Sequence, residues 1–131
     1  MVNPSISVIV PVYNAGKFLA ETLEAIRNQT FNDFEVICVN DGSTDNSQEI
    51  LEKYAASDVR FKVFYQKNRG GSASRNYALE KVKGKYIAFC DHDDIYHSQY
   101  LEILHHHIKM SDADLSCCSY LKFAGRGGVQ L

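Results

Sequence analysis

The sequence predicts an α/β fold built on a doubly wound, mainly parallel sheet with helices on both faces. Strand-like and helix-like segments alternate along nearly all of the 131 residues. The strand-like segments are almost continuously apolar, as in parallel strands that are covered on both sides. Polar or glycine-containing motifs follow the ends of four successive strands, where open parallel sheets bind their ligands.

The first half of the chain contains two strand–helix units. Residues 5–10 are short and β-branched, which predicts a first strand that Pro11 ends. Residues 17–28 carry apolar side chains at helical spacing and predict an amphipathic helix. Residues 35–39 are predicted as the second strand, and residues 46–56 as the second helix.

A local signal marks the start of the second helix. Asp45 is a favourable N-cap, and Gln48 follows three residues later, as in a capping box. We therefore expect Asp45 to cap the backbone of the first helical turn.

The second half repeats the alternation, and apolar patterning indicates three strands, at residues 61–65, 85–90 and 114–120. Helices are expected at residues 73–81 and 98–109. The first of these helices overlaps a glycine-rich segment, defined as residues 68–74. The tail that contains Gly125 and Gly128 shows no periodicity.

Right-handed crossovers would give the sheet the order 3-2-1-4. The chain then reverses direction between strands one and four, which makes that point the switch point for ligand binding. Residues 11–14 and residues 91–94 meet there. We call residues 91–94 the acidic loop.

Composition excludes several classes. A net charge of −2 argues against a nucleic-acid partner. No apolar run approaches the roughly 18 residues of a membrane helix, and the apolar start is too short for a signal peptide. The four cysteines, which have no Cys-x-x-Cys spacing, are predicted to be reduced and mostly buried thiols of a cytosolic protein.

The acidic loop places three carboxylates within four residues, at Asp91, Asp93 and Asp94. Such groups repel one another unless a cation neutralises them. Mg²⁺ and Mn²⁺ are the natural partners of carboxylate oxygens. An acidic turn after a strand is the simpler explanation of this loop taken alone.

Four motifs are predicted to lie on one rim of the sheet, at residues 11–14, 40–43, 68–71 (with Arg75) and 91–94. Each has a simpler explanation: Asp41 and Gly42 form a common turn pair, and Arg75 could be solvated. Their shared position favours a joint site for a nucleotide diphosphate. Tyr13 would lie against the base and Asp41 would accept hydrogen bonds from base or ribose. Glycine backbone and Arg75 would approach phosphate, and the acidic loop would hold a bridging cation.

Missing motifs narrow the class further. No Gly-x-Gly-x-x-Gly follows the first strand, and the chain has no P-loop sequence. A Gly-x-Ser-x-Gly nucleophile elbow is also absent from the sequence. Dinucleotide-dependent redox enzymes, P-loop NTPases and α/β-hydrolases are therefore disfavoured.

Four segments in this order together resemble a family 2 glycosyltransferase, at residues 7–14, 39–45, 68–76 and 89–94. The resemblance covers roughly residues 5–120. It implies the Rossmann-like glycosyltransferase A fold and inverting transfer of a sugar from a nucleotide donor, commonly a UDP-sugar. The acceptor would be a saccharide or a lipid-linked molecule.

The resemblance also assigns residues. Asp41 would bind uracil, Arg75 matches the arginine after the glycine-rich segment, and Asp91-His92-Asp93 matches the Asp-x-Asp motif. Asp93 would bind Mn²⁺ or Mg²⁺ directly, and Asp91 would hold ribose or a metal-bound water. The implied donor-binding set is Pro11, Val12, Tyr13, Asn14, Asp41, Gly70, Gly71, Arg75, Asp91 and His92.

The resemblance also implies that more of the sheet and the catalytic base lie beyond Leu131. Residues 1–120 would form the nucleotide-sugar-binding domain, and residues 121–131 the start of an acceptor half or a disordered tail. We expect a cytoplasmic location, at the inner face of a membrane with peripheral association. Self-association is expected through an apolar edge near residues 114–120.

Two other functions stay open. One is a non-catalytic module that binds a nucleotide sugar or a protein partner. The other is a nucleotidyltransferase, but residues 11–16 lack the basic glycine-rich loop that this class would need after the first strand.

Overall fold

The computed structural model of the protein describes residues 2–123 and 129–130. The strands are β1 (Ile6–Val12), β2 (Phe34–Asp41), β3 (Phe61–Gln66), β4 (Tyr86–Phe89), β5 (Lys122–Phe123) and β6 (Val129–Gln130). The helices are α1 (Leu19–Arg27), α2 (Ser47–Ser57), α3 (Gly71–Leu79) and α4 (Tyr100–Met110). Gly125 and Gly128, in the tail that showed no periodicity, lie outside the described residues.

The main sheet has four strands in the order β3-β2-β1-β4, and every pairing in it is parallel. This confirms the predicted order, with β1 in the interior. Ile6 pairs with Phe34 on one side and with Tyr86 on the other. Strands β5 and β6 form a separate antiparallel pair.

Helices cover both faces of the sheet, which confirms the doubly wound arrangement. On one face, Val8 and Val10 of β1 belong to the same apolar cluster as Leu19 and Leu23 of α1. On the other face, Ile9 of β1 shares a cluster with α3. The strands are therefore apolar on both sides, as their sequences indicated.

The prediction that Pro11 ends the first strand is wrong, because β1 continues to Val12. The carbonyl of Ile9 faces β4, where it accepts a hydrogen bond from the N–H of Cys90. Pro11, two residues further, has the same orientation, but β4 has already ended at Phe89. A backbone N–H at position 11 would therefore face a side of β1 where no strand lies beside it. Proline, which has no N–H, consequently removes no hydrogen bond from the sheet.

The predicted strand at residues 114–120 is also wrong, since this segment is irregular. Leu115 is 80% exposed and Tyr120 is 78% exposed. The hydroxyl of Ser116 instead donates to the carbonyl of Leu104 in α4, at 2.9 Å. The apolar alternation finds no partner strand among the described residues, and an unpaired strand is not stable alone.

The capping box at the second helix does not form. Helix α2 begins at Ser47, and Asp45 accepts hydrogen bonds from the N–H groups of Ser47 and Gly16. The Gln48 side chain bonds to Asn40 and Glu52 instead of reaching back to the cap. Asp45 therefore joins two loops as well as supporting the helix start.

Two of the four cysteines are not buried as predicted. All four are free thiols; Cys38 and Cys90 are buried, whereas Cys117 and Cys118 are exposed. The exposed pair lies in the irregular segment after α4, which explains the difference. Helices long and apolar enough to cross a membrane are not found in the described part of the chain.

A buried ionic network lies at the amino-terminal edge of the sheet. Glu35 is 3% exposed and accepts hydrogen bonds from the Ser7 hydroxyl at 2.6 Å and the Lys83 N–H at 2.7 Å. Its other oxygen pairs with Lys62 Nζ at 2.7 Å. A Cβ on Gly84 would lie 2.5 Å from the Ser7 nitrogen, so glycine is needed where the chain enters β4. The network joins β1, β2, β3 and the start of β4.

Candidate functional site

A cavity of about 370 Å³ opens at the carboxyl edge of the sheet, between the ends of β1, β2 and β4 and the start of α3. Its lining residues are Pro11, Val12, Tyr13, Asp41, Gly71, Ser74, Arg75, Asp91, His92 and Asp93. Sequence reasoning had named all of these except Ser74. The structure therefore brings residues from all four predicted motifs, together with Arg75, to one concave site at the switch point.

Asp41 is the most constrained acidic group of the site. Its side chain is at the buried end of β2, and the residue is 3% exposed. Oδ1 accepts hydrogen bonds from the Arg69 N–H and the Gln66 Nε2, both at 2.7 Å, and Oδ2 accepts one from the Gly70 N–H at 2.9 Å. Burial acts to raise the pKa of Asp41, but these hydrogen bonds outweigh it and the pKa is lowered. A charged Asp41 thus holds the glycine-rich segment against β2.

Gly70 does not line the cavity, although it was predicted to contact the donor. It adopts a φ of +96°, which side-chain-bearing residues rarely take, and this turns its N–H toward Asp41. Gly42 has a φ of +72°, and a Cβ there would lie 2.8 Å from the Asn68 nitrogen. Gly42 thus allows the loops after β2 and β3 to approach each other closely, whereas Gly70 supplies the backbone conformation that directs its N–H to Asp41.

Asn14 also stays out of the cavity lining. Its side-chain oxygen accepts a hydrogen bond from the Thr44 N–H at 2.8 Å, and its own N–H donates to the Ser43 hydroxyl at 3.0 Å. Its φ of 46° lies in the left-handed region that asparagine tolerates better than most residues. In this structure Asn14 joins the loops after β1 and β2. Tyr13 beside it is 46% exposed, so its ring is available to a ligand.

Sequence reasoning missed Gln66 and Ser74. Gln66 Nε2 donates to Asp41 and, at 3.2 Å, to the Ser74 hydroxyl, which donates to the Gly70 carbonyl. Gln66 Oε1 is buried and has no hydrogen-bond partner among the described residues. A polar residue at the carboxyl end of an apolar strand was the signal that could have identified Gln66.

The acidic loop is partly neutralised by the protein itself. Arg75 Nη2 donates to Asp91 Oδ1 at 2.8 Å, and both side chains are substantially exposed. The Asp94 N–H donates a hydrogen bond to the Asp91 carbonyl at 3.1 Å, which closes a turn. Partial desolvation, followed by the charges of Asp91 and Asp93, raises the pKa of Asp94. Negative charge therefore remains in excess at this end of the cavity.

The carboxylates suit a hard divalent cation, but they would hold it with few protein ligands. Within residues 2–123 and 129–130, no group of three or more His, Cys, Asp or Glu side chains is arranged to bind a metal. Mg²⁺ in nucleotide sites is usually bound by one or two carboxylates, with phosphate oxygens and water completing the shell. Asp91 and Asp93 line the cavity and fit that mode of binding.

Three adjacent histidines on α4 do not contribute to this site. His105 packs against the rings of Phe31 and Tyr86, with centroids 4.6 and 5.5 Å away. His106 and His107 contact each other edge to face. None of the three lines the cavity, and adjacent residues on a helix point in different directions and do not form a joint metal-binding face.

Comparisons with known proteins identify relatives of the chain. A family model described as "Glycosyl transferase family 2" matches residues 7–129. Glycosyltransferase GlyG of Streptococcus pneumoniae serotype 4 is 42% identical over 119 residues, which are 90% of this chain and 40% of GlyG. Glycosyltransferase GlyA of the same organism is 40% identical over 129 residues, or 98% of this chain and 18% of GlyA.

A solved structure shares the fold. The crystal structure of S. aureus TarS 1-349 in complex with UDP-GlcNAc matches with a TM-score of 0.79 and 36% sequence identity. The match covers 84% of this chain and 32% of the TarS chain. The present chain therefore spans less than half the length of each of these three proteins.

Proposed function

The chain belongs to glycosyl transferase family 2, and we propose that it binds the nucleotide-sugar donor of an inverting glycosyltransferase, with a UDP-sugar as the donor. The predicted glycosyltransferase A fold is confirmed by its similarity to TarS. The observation that carries the proposal is the cavity that unites Tyr13, Asp41, Arg75 and the acidic loop. The binding of UDP-GlcNAc by TarS supports a uridine nucleotide as the ligand.

The cavity suits the two ends of such a donor differently. At the β1 and β2 end, the exposed Tyr13 ring offers apolar area to a base. The carboxylate of Asp41 can accept one further hydrogen bond there, from an N–H of uracil. At the β4 end, Arg75 and three residues of the acidic loop line the cavity and would bind the diphosphate and its cation. On donor binding, Arg75 would share its guanidinium between Asp91 and a phosphate oxygen.

A divalent cation, Mn²⁺ or Mg²⁺, completes this proposal. Asp93 would bind it directly, and Asp91 would hold ribose or a metal-bound water. When bound, such a cation neutralises charge that develops on the leaving diphosphate. The carboxylates of Asp91 and Asp93, which both line the cavity, support this assignment, because carboxylate oxygens are ligands that Mg²⁺ and Mn²⁺ prefer.

The acceptor and its deprotonation belong to the proposal as well. The acceptor is a saccharide or a lipid-linked molecule at the cytoplasmic face of a membrane. Asp41 is occupied by backbone donors and Asp91 by Arg75. These engaged carboxylates are poorly placed to take the acceptor's proton, which supports a base that lies beyond Leu131.

Isothermal titration calorimetry with UDP, GDP and dTDP, each with and without Mn²⁺, tests the proposal. We expect UDP to bind, and Mn²⁺ to strengthen its binding at least tenfold, the size of one well-placed charge interaction. Asp93→Asn should remove that Mn²⁺ effect and leave Mn²⁺-independent binding in place.

Asp114→Asn is the matched control, since Asp114 is exposed and does not line the cavity. It should bind like the unaltered chain. Folded protein that gives no heat with any diphosphate would disprove the proposed function. An Asp93→Asn variant that keeps the full Mn²⁺ effect would disprove the assigned metal ligand.

A further inference from the structure

The acidic loop is attached to α1 by a buried hydroxyl group. Thr22 of α1 is 1% exposed, and its Oγ1 donates a hydrogen bond to the carbonyl of His92 at 3.0 Å. Threonine has a modest helix propensity, and its hydroxyl commonly bonds back to its own helix. Here the hydroxyl reaches across 70 residues of sequence to the backbone of the acidic loop.

A buried amide makes the second attachment, just beyond α1. Gln29 is 4% exposed, and its Nε2 donates to the carbonyl of His97 at 2.8 Å. Its Oε1 accepts a hydrogen bond from the N–H of Leu101 at 3.0 Å. The neighbouring Thr30 N–H donates to the Ser98 carbonyl at 2.9 Å. The chain from the acidic loop to the start of α4 is thus attached, at residues 92, 97, 98 and 101, to α1 and the segment that directly follows it.

We propose that Thr22 and Gln29 form a clamp whose role is to position the acidic loop for the diphosphate and its cation. This inference rests on the proposed function for the identity of the ligand. Neither residue lines the cavity, so both are positioning residues that act through the backbone of residues 92–101. Binding sites on loops need such support from rigid elements to hold their geometry.

The clamp counteracts the repulsion among the carboxylates of the acidic loop. Asp91, Asp93 and Asp94 lie within four residues, so their like charges repel one another. Among the described contacts, Asp91 alone of the three has a cationic partner, Arg75. Repulsion among these carboxylates would open the loop unless an attachment that does not involve their side chains held it in place. The Thr22 hydroxyl provides one, because it bonds to a backbone carbonyl inside the repelling group.

Hydrogen–deuterium exchange of the ligand-free chain tests the clamp directly. Thr22→Val keeps the side-chain shape but leaves the His92 carbonyl without its donor. We expect amides of residues 91–97 to exchange about tenfold faster, the size expected for losing one buried hydrogen bond. Thr22→Ser, which restores the hydroxyl, should return exchange to its original rate.

Two further variants make the test specific. Ser7→Ala removes another fully buried hydroxyl, the one bonded to Glu35 at the opposite edge of the sheet. It should leave exchange in residues 91–97 unchanged. Gln29→Met, of similar length but without the amide, should accelerate exchange in residues 96–101 and gives a second test if Thr22→Val does not fold.

Ligand binding separates positioning from general stability. Thr22→Val should weaken Mn²⁺-dependent UDP binding about tenfold while uridine, which lacks the diphosphate, binds unchanged. Unaltered exchange in residues 91–97 of Thr22→Val, or equal acceleration by Ser7→Ala, would overturn the clamp. A chain that binds no UDP would disprove the proposed function instead, and the exchange rates would still decide the clamp.

Discussion

Replacing Asp41 with asparagine is expected to lower the affinity for UDP about a hundredfold, the size of losing one or two charge-assisted hydrogen bonds. Asp41 accepts hydrogen bonds through both oxygens, from the backbone of Arg69 and Gly70 and from Gln66. An asparagine would turn one NH₂ group toward a backbone N–H, so that two donors face each other. The glycine-rich segment would then leave its position beside the cavity.

Calorimetry with UDP measures the affinity, and limited proteolysis measures release of the glycine-rich segment. We expect cleavage near Arg69 to become faster in Asp41→Asn than in the unaltered chain. Asp114→Asn, which changes an exposed carboxylate in the same way, should alter neither result. Unchanged UDP affinity in Asp41→Asn would show that this carboxylate neither binds the base nor holds the loop.

Replacing Glu35 with glutamine is expected to lower the free energy of unfolding at pH 7 by about 2 kcal/mol. The substitution keeps the shape of the side chain but removes the charge that pairs with Lys62 and strengthens the hydrogen bonds from Ser7 and Lys83. Because Lys62 is 40% exposed, water already screens part of the ion pair, and the expected loss is smaller than for a fully buried pair. Urea denaturation monitored by circular dichroism measures the effect.

The same variant should change how stability depends on pH. Burial acts to raise the pKa of Glu35, but the bonds from Lys62, Ser7 and Lys83 outweigh it and leave the pKa below its usual value of 4.5. A depressed folded-state pKa stabilises the fold above the unfolded pKa, and this contribution is lost as the pH falls through the folded value. The difference between the two proteins should therefore be largest above pH 4.5 and shrink in more acidic solution.

Glu49→Gln provides the control for this series. Glu49 forms an exposed pair with Lys53 at 3.5 Å, which is of little consequence for stability. We expect it to change the free energy of unfolding by less than about 0.5 kcal/mol. If Glu35→Gln proved as mild as Glu49→Gln, the buried network would not be a source of stability.

The sheet order and the position of the cavity could be predicted because both follow from local signals. Apolar runs, their spacing and the handedness of crossovers were enough to place residues 11–14 beside residues 91–94. Strand ends were less predictable. Strand β1 can continue through Pro11 because β4 stops at Phe89, and residues 114–120 have no strand to pair with among the described residues. Local sequence reports neither fact.

The supporting residues of the site could not be predicted for a different reason. Thr22, Gln29 and Gln66 lie within or next to regular elements, where polar side chains usually face water. Their partners are 70, 68 and 25 residues away in sequence, for the bonds to His92, His97 and Asp41. Only the folded chain reveals such distant pairs, whereas the motif residues themselves lie in loops with recognisable composition.

The interior position of β1 governs the order in which the molecule can assemble. Strand β1 is synthesised before the other three strands of the main sheet, and its neighbour β2 begins 28 residues later, since Ile6 pairs with Phe34. Its other neighbour starts at Tyr86, 80 residues after Ile6. Closing so long a loop is slow compared with forming the β1–β2 unit. During synthesis the Tyr13 and Asp41 side of the cavity can therefore form first, and the acidic loop completes it last.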